Sequence, residues 1–141
     1  MMKTAVIYWS GTGNTEMMAE ALYAGIQEND QSAKCVRVDE ATVDLIKEAD
    51  VIALGCPSMG DEVLEEDEME PFVEAIKDVV ANKKVLLFGS YGWGDGEWMR
   101  EWEIRMEGYQ ANIVLDSLIV NETPSQDDLE ACKEIGRKIS Q

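Results

Sequence analysis

Three short apolar runs set what this chain can become: Thr4-Ala5-Val6-Ile7-Tyr8-Trp9, Val51-Ile52-Ala53-Leu54-Gly55 and Lys84-Val85-Leu86-Leu87-Phe88-Gly89. Each lacks polar alternation and leads into a glycine-bearing loop, the pattern of a strand buried on both faces. Such strands need helices above and below, and the intervening stretches change period to supply them. Met18, Leu22 and Ile26 recur every fourth residue within 14–28. Phe72, Val73, Ile76 and Val80 mark a helix over 69–80, and Trp98, Trp102 and Met106 another over 97–107. Residues 34–39 alternate and read as a strand nearer a sheet edge, 42–48 as a short helix and 113–120 as a last strand. The last helix spans 125–139, with Ser125 placed to cap it. This βαβαβαβαβα order predicts an α/β fold, a parallel sheet with helices on both faces and right-handed crossovers. At 141 residues, 45% hydrophobic and with 3 prolines, the chain can bury one core, and 1–141 reads as a single domain.

Composition narrows function by exclusion. Acidic side chains number 29 against 12 basic ones, a formal net charge of −17. A nucleic-acid binder needs a basic stripe to displace counterions, and an anionic membrane surface repels such a chain, so neither is an expected partner. Two readings of the charge stay open: solubility of a small protein, and attraction of a partner with a basic patch. There is no histidine, which removes the commonest general base and metal ligand. Cys35, Cys56 and Cys132 form no C-x-x-C pair, so reduced thiols in a cytoplasmic protein fit better than a disulfide framework or a zinc site. The apolar run within 1–9 is too short for a signal peptide, and no stretch reaches the ~18 apolar residues of a membrane span.

Ligands of open parallel sheets bind beyond the carboxyl ends of the strands. The first loop there, Ser10-Gly11-Thr12-Gly13-Asn14-Thr15, joins a strand to a helix and is neutral and rich in donors, a nest suited to phosphate. It has no lysine for a triphosphate loop, and Glu16 stands where a dinucleotide fingerprint needs its third glycine. A ligand-free tight turn is the bland alternative. The second loop carries Met59, a polarizable apolar surface, then Gly60, Asp61 and the carboxylate of Glu62. Pro57 and Cys56 read as turn and packing residues, because a Cys56 nucleophile would need a cation or base and the loop offers only acids. The third loop, Ser90-Tyr91-Gly92-Trp93-Gly94-Asp95-Gly96, sets aromatics among glycines, which suits stacking on a flat ligand. Trp98 and Trp102, at helical spacing, read as core. A phosphate nest, apolar platforms and an adaptable backbone imply a phosphorylated planar heterocycle that does the chemistry itself. A phosphoacceptor signalling domain would want an acidic pair where Trp9-Ser10-Gly11 stands.

Three segments, Ser10-Gly11-Thr12-Gly13-Asn14-Thr15, Cys56-Pro57-Ser58-Met59-Gly60-Asp61-Glu62 and Phe88-Gly89-Ser90-Tyr91-Gly92-Trp93-Gly94, resemble the short-chain flavodoxins of anaerobic bacteria. The likeness runs the whole chain, to Leu118-Ile119-Val120-Asn121-Glu122. Flavodoxins are themselves the type example of the three-layer fold with strand order 2-1-3-4-5 and FMN at the switch point, so that order is what the resemblance implies here. It further implies a monomeric, low-potential one-electron carrier with non-covalent FMN, not an enzyme, working between redox proteins through the semiquinone/hydroquinone couple. Ser10, Thr12, Asn14 and Thr15 would then bind phosphate, with Gly11 and Gly13 shaping the loop. Trp93 would stack on the outer flavin face, Met59 would pack on the inner one, and Glu62 would accept from N3–H. The Gly60–Asp61 peptide would turn over on reduction so that the Gly60 carbonyl accepts from N5–H. Pro57, Ser58, Ser90, Tyr91, Gly92, Gly94 and Asp95 complete the implied binding set. An acidic surround would disfavour the anionic reduced cofactor: one carboxylate ~10 Å away costs about 0.4 kcal/mol in water, on the order of 20 mV. Asp61, Glu62, Glu65, Glu66, Asp67, Glu68 and Glu70 form the densest such run.

Overall fold

The computed structural model describes residues 3–141, so Met1 and Met2 of the amino-terminal stretch lie outside the described residues. The three apolar runs become the middle of a parallel sheet: β1 (Thr4–Tyr8), β3 (Val51–Gly55) and β4 (Lys84–Tyr91). The alternating run gives β2 (Lys34–Arg37), which lies outside β1 and is partly exposed, as a strand at an edge should be. The order is β2-β1-β3-β4-β5, as the resemblance implied.

Alternation along each buried strand sends successive side chains to opposite faces and so builds two cores. Ala5, Ile7, Ile52, Leu54, Val85 and Leu87 pack under α2 (Val43–Glu48), α3 (Met69–Ala75) and α4 (Glu97–Gly108), with Trp98 and Trp102 buried among them. Val6, Tyr8, Val51, Ala53, Leu86 and Phe88 pack under α1 (Asn14–Gln27) and α5 (Gln126–Ile139). On that face α1 and α5 touch backbone to backbone. A Cβ on Gly25 would lie 2.0 Å from the Lys133 carbonyl oxygen, and one on Gly136 would lie 2.2 Å from that of Leu22. Ser125 caps α5 in a reciprocal capping box with Asp128, and Thr42 caps α2. No helix among the described residues is long and apolar enough to cross a membrane.

Boundaries differ from the sequence expectation in four places, the first being the alternating run, which leaves its strand at Arg37 for a short 3-10 turn over Val38–Glu40. The last strand is two pieces, β5 (Asn112–Ile113) and β6 (Leu118–Asn121), both parallel to β4. Between the pairs Val85–Ile113 and Phe88–Leu118, β4 uses two residues where the last strand uses four, so residues 114–117 bulge outward. Ser117 there donates to Glu103 Oε2 at 2.7 Å. β4 runs on through Ser90 and Tyr91 because β6 keeps pairing with it, which places those two on a strand rather than in a loop. The third helix stops at Ala75; Ile76 and Val80 stay buried in turns, so helical spacing outlasts the helix.

Candidate cofactor site

The chain leaves β1 for β2 on one side and returns to β3 on the other, so a crevice opens between β1 and β3 at their carboxyl ends. A cleft of about 450 Å³ lies there, within the ~300–1,000 Å³ usual for small-ligand sites. The first loop contributes Gly11, Thr12 and Asn14; the second Pro57, Ser58 and Met59; the end of β4 and its loop Ser90, Tyr91 and Gly92. Trp9, Glu122 and Thr123 also line it, three residues that lie outside the three glycine-bearing loop motifs of the sequence. Trp9 sits where β1 ends, and that position was the signal available for it. Glu122 follows β6, whose pairing beside β4 brings it to the cleft.

The other first-loop candidates stand behind the wall and shape it. Ser10 Oγ accepts from the N–H groups of Gly13 and Glu16, each at 3.2 Å, which holds the loop at the entry to α1. Gly13 adopts φ +98°, a left-handed turn open to glycine, and α1 begins directly after it. The buried Thr15 hydroxyl pairs with Ser90 Oγ at 3.0 Å and so ties the first loop to β4. Because Ser10 Oγ only accepts in these bonds, its O–H joins Thr12, Asn14 and the first-turn N–H groups other than that of Glu16 as the loop's donors, at the positive end of a 14-residue helix. That donor set fits a phosphate.

The second loop is a small hairpin. Met59 N–H donates to the Val63 carbonyl at 2.9 Å and Val63 N–H to the Met59 carbonyl at 3.1 Å. Inside it Gly60 has φ +34°, and a Cβ there would meet nothing within 4 Å. Gly60 and Asp61 border a recess next to the cleft, shared with Met59. Glu62 is held at φ +59° and is only 7% exposed, bordering a recess shared with Trp98 and Trp102 rather than the cleft. Burial raises its carboxyl above the ordinary value, and the neighbouring Glu97 carboxylate adds to this against an opposing Asp95 main-chain hydrogen bond. Glu62 Oε1 has no hydrogen-bond partner, so this carboxyl retains an unmet demand for a donor. Gly94 lies directly on it, since a Cβ at that position would be 1.7 Å from Oε1.

Trp93 is 63% exposed, beside the cleft rather than lining it. Asp95 pairs with Arg100 at 3.0 Å at the start of α4. The Cys56 thiol is buried and pushed up to about 12 by desolvation, consistent with a packing role.

The fold and site together define a doubly wound α/β protein with a donor-rich loop and an apolar-walled cleft at its switch point. Residues 6–136 match the family model for flavodoxin. The chain is 49% identical to the flavodoxin of Clostridium beijerinckii over 135 residues, covering 96% of this chain and 97% of that one. It is 46% identical to the flavodoxin of Megasphaera elsdenii over 131 residues, 93% of each. The solution structure of the two-electron reduced Megasphaera elsdenii flavodoxin superposes with a TM-score of 0.88 at 44% identity, over 97% of this chain and 98% of that one. The chain belongs to the flavodoxin family. It is a low-potential electron carrier that works with FMN, and its close relatives are carriers rather than enzymes.

Proposed function

We propose that FMN sits in the cleft at the β1/β3 crevice, and that the chain acts as one 141-residue monomeric, cytoplasmic unit docking transiently on basic redox partners. The observation that carries this reading is the convergence of a neutral donor loop, Met59 and the Tyr91–Gly92 wall on one cleft. FMN, when bound, supplies one-electron transfer. Ser10, Thr12, Asn14, Thr15 and the helix-end N–H groups hold its phosphate, and Ser10 and Thr15 also keep the loop in shape. Met59 and Tyr91 give the apolar walls that exclude water, and Trp93 is free to stack across the mouth because little packs against it. The Gly60–Asp61 peptide is the movable element. The bridge between Met59 and Val63 pins both ends of the hairpin, and the positive φ and open Cβ side of Gly60 leave the peptide between them free to turn. Pro57, Ser58 and Gly92 set the cleft's breadth, and Glu62 offers an acceptor next to Gly94 and Asp95.

The acidic balance supports both low potential and docking. Seven of the ten residues from 61 to 70 are Asp or Glu, with no basic residue among them to offset the field beside the cleft. Complementary charge raises encounter rates with a basic partner, so the rate of partner reduction falls as salt is added. Two titrations of the apoprotein test the binding claim together. FMN binds and loses its fluorescence, and riboflavin, lacking the phosphate, binds at least tenfold more weakly, about 1.4 kcal/mol. Equal affinities would remove the first loop from the site.

A further inference from the structure

Resting on the cleft as the FMN site, we infer that Trp9 and Glu68 form a latch joining the phosphate loop to the foot of the loop that carries Met59 and Gly60, and that this latch slows FMN release. Trp9 directly follows β1 and lines the cleft. Its ring lies over Gly11, where a Cβ would be 3.0 Å from Cη2 and 3.2 Å from Cζ3, so the indole and the phosphate loop fit as one unit. Across 59 positions of sequence, its Nε1–H donates to Glu68 Oε1 at 3.0 Å.

Glu68 is not a freely swinging surface acid. It stands at the entry to α3, and its own N–H donates to Glu65 Oε1 at 2.7 Å. The buried Glu65 carboxylate also accepts from Asp67 N–H at 2.8 Å and Met69 N–H at 2.9 Å. Those three main-chain donors outweigh desolvation and hold the Glu65 carboxyl below its ordinary value. Residues 65–69 are therefore a rigid foot. The hairpin closed by Met59 and Val63 rises from it, and Trp9 is the side chain that reaches from the phosphate loop to it. Apolar packing on Gly11 asks only for a ring, which phenylalanine would supply. The indole N–H adds a directed hydrogen bond to a carboxylate, the stronger kind. Trp9 is thus a cleft residue and Glu68 its positioning residue.

The test is a double-mutant cycle on the FMN-loaded full chain, reading the FMN dissociation rate and the first one-electron potential. Trp9→Phe keeps the ring and removes the donor; Glu68→Leu removes the acceptor; Glu68→Gln removes the charge but keeps an acceptor oxygen. The latch predicts release about tenfold faster in Trp9→Phe and in Glu68→Leu, with Glu68→Gln within about twofold of wild type. The Trp9→Phe/Glu68→Leu double variant should release no faster than the faster single variant, because both remove one bond. Thermal melts of each apoprotein separate this from a general loss of fold. Single variants that release FMN at the wild-type rate, or a double variant whose effects multiply, overturn the latch while leaving the cleft assignment standing. Wild-type protein that takes up no FMN overturns the cleft assignment, and the latch with it.

Discussion

Alanine at Gly60 isolates backbone freedom from packing. An added Cβ would meet nothing within 4 Å, so no clash contributes. What remains is conformational: at φ +34° an L residue costs about 1–2 kcal/mol relative to glycine. In the resting hairpin, which is exposed, that strain lowers the melting temperature by roughly 2–8 °C. The redox effect is separate. If the turned-over peptide depends on the same positive-φ freedom, alanine raises its energy by a further ~1–2 kcal/mol. At about 59 mV per tenfold change for one electron, the first potential falls by roughly 40–90 mV. The second potential moves much less, since no further turn of the peptide accompanies it. Potentiometric titration of wild-type protein and Gly60→Ala measures both. A gap between the two potentials that changes by less than about 10 mV would refute the peptide's role.

Gly25→Ala drives a Cβ to 2.0 Å from the Lys133 carbonyl, where neither helix backbone can yield alone. Separating α1 from α5 costs about 3 kcal/mol, and thermal melts should fall by roughly 6–12 °C; an unchanged melt would mean the helices do not meet there. Trp93→Ala should leave the apoprotein's melt unmoved, because the side chain is 63% exposed, yet weaken FMN binding by about tenfold in a fluorescence titration. Equal affinity would show that Trp93 does not cover the cofactor. Burial raises the Glu62 carboxyl, with Glu97 reinforcing it, so its contribution to stability is full at low pH and lost as pH rises through the raised value. Apoprotein carrying Glu62→Gln should therefore gain stability over wild type at neutral pH and lose that advantage in acid. A difference that is flat across that range would remove Glu62 as the cause.

The buried strands and amphipathic helices were legible because their signals are local. A continuous apolar run admits few alternatives to a two-faced buried strand, and Trp98 and Trp102 at helical spacing are core residues as expected. The bulge at 114–117 was not legible, since apolar residues on either side read as one strand and the extra two positions show only in register against β4. The extension of β4 through Tyr91 likewise depends on β6 lying beside it. At the site, sequence picked out the loops and nine lining residues, from Gly11 to Gly92. Trp9, Glu122 and Thr123 escaped it because they reach the cleft through strand pairing rather than through a glycine-rich motif. The hydroxyls of Ser10 and Thr15 read in sequence as phosphate donors, and what the sequence did not show is their additional part in holding the loop. No residue pattern announces the bond from Trp9 to Glu68, whose partners are set by two separate loops.

Stepwise reduction of the purified protein, followed by its absorption spectrum against applied potential, tests the central claim most directly. The expected result is a yellow protein carrying one FMN per chain, reduced in two resolved one-electron steps with the second at low potential. A colourless protein that takes up no FMN, or one reduced in a single two-electron step, would contradict it.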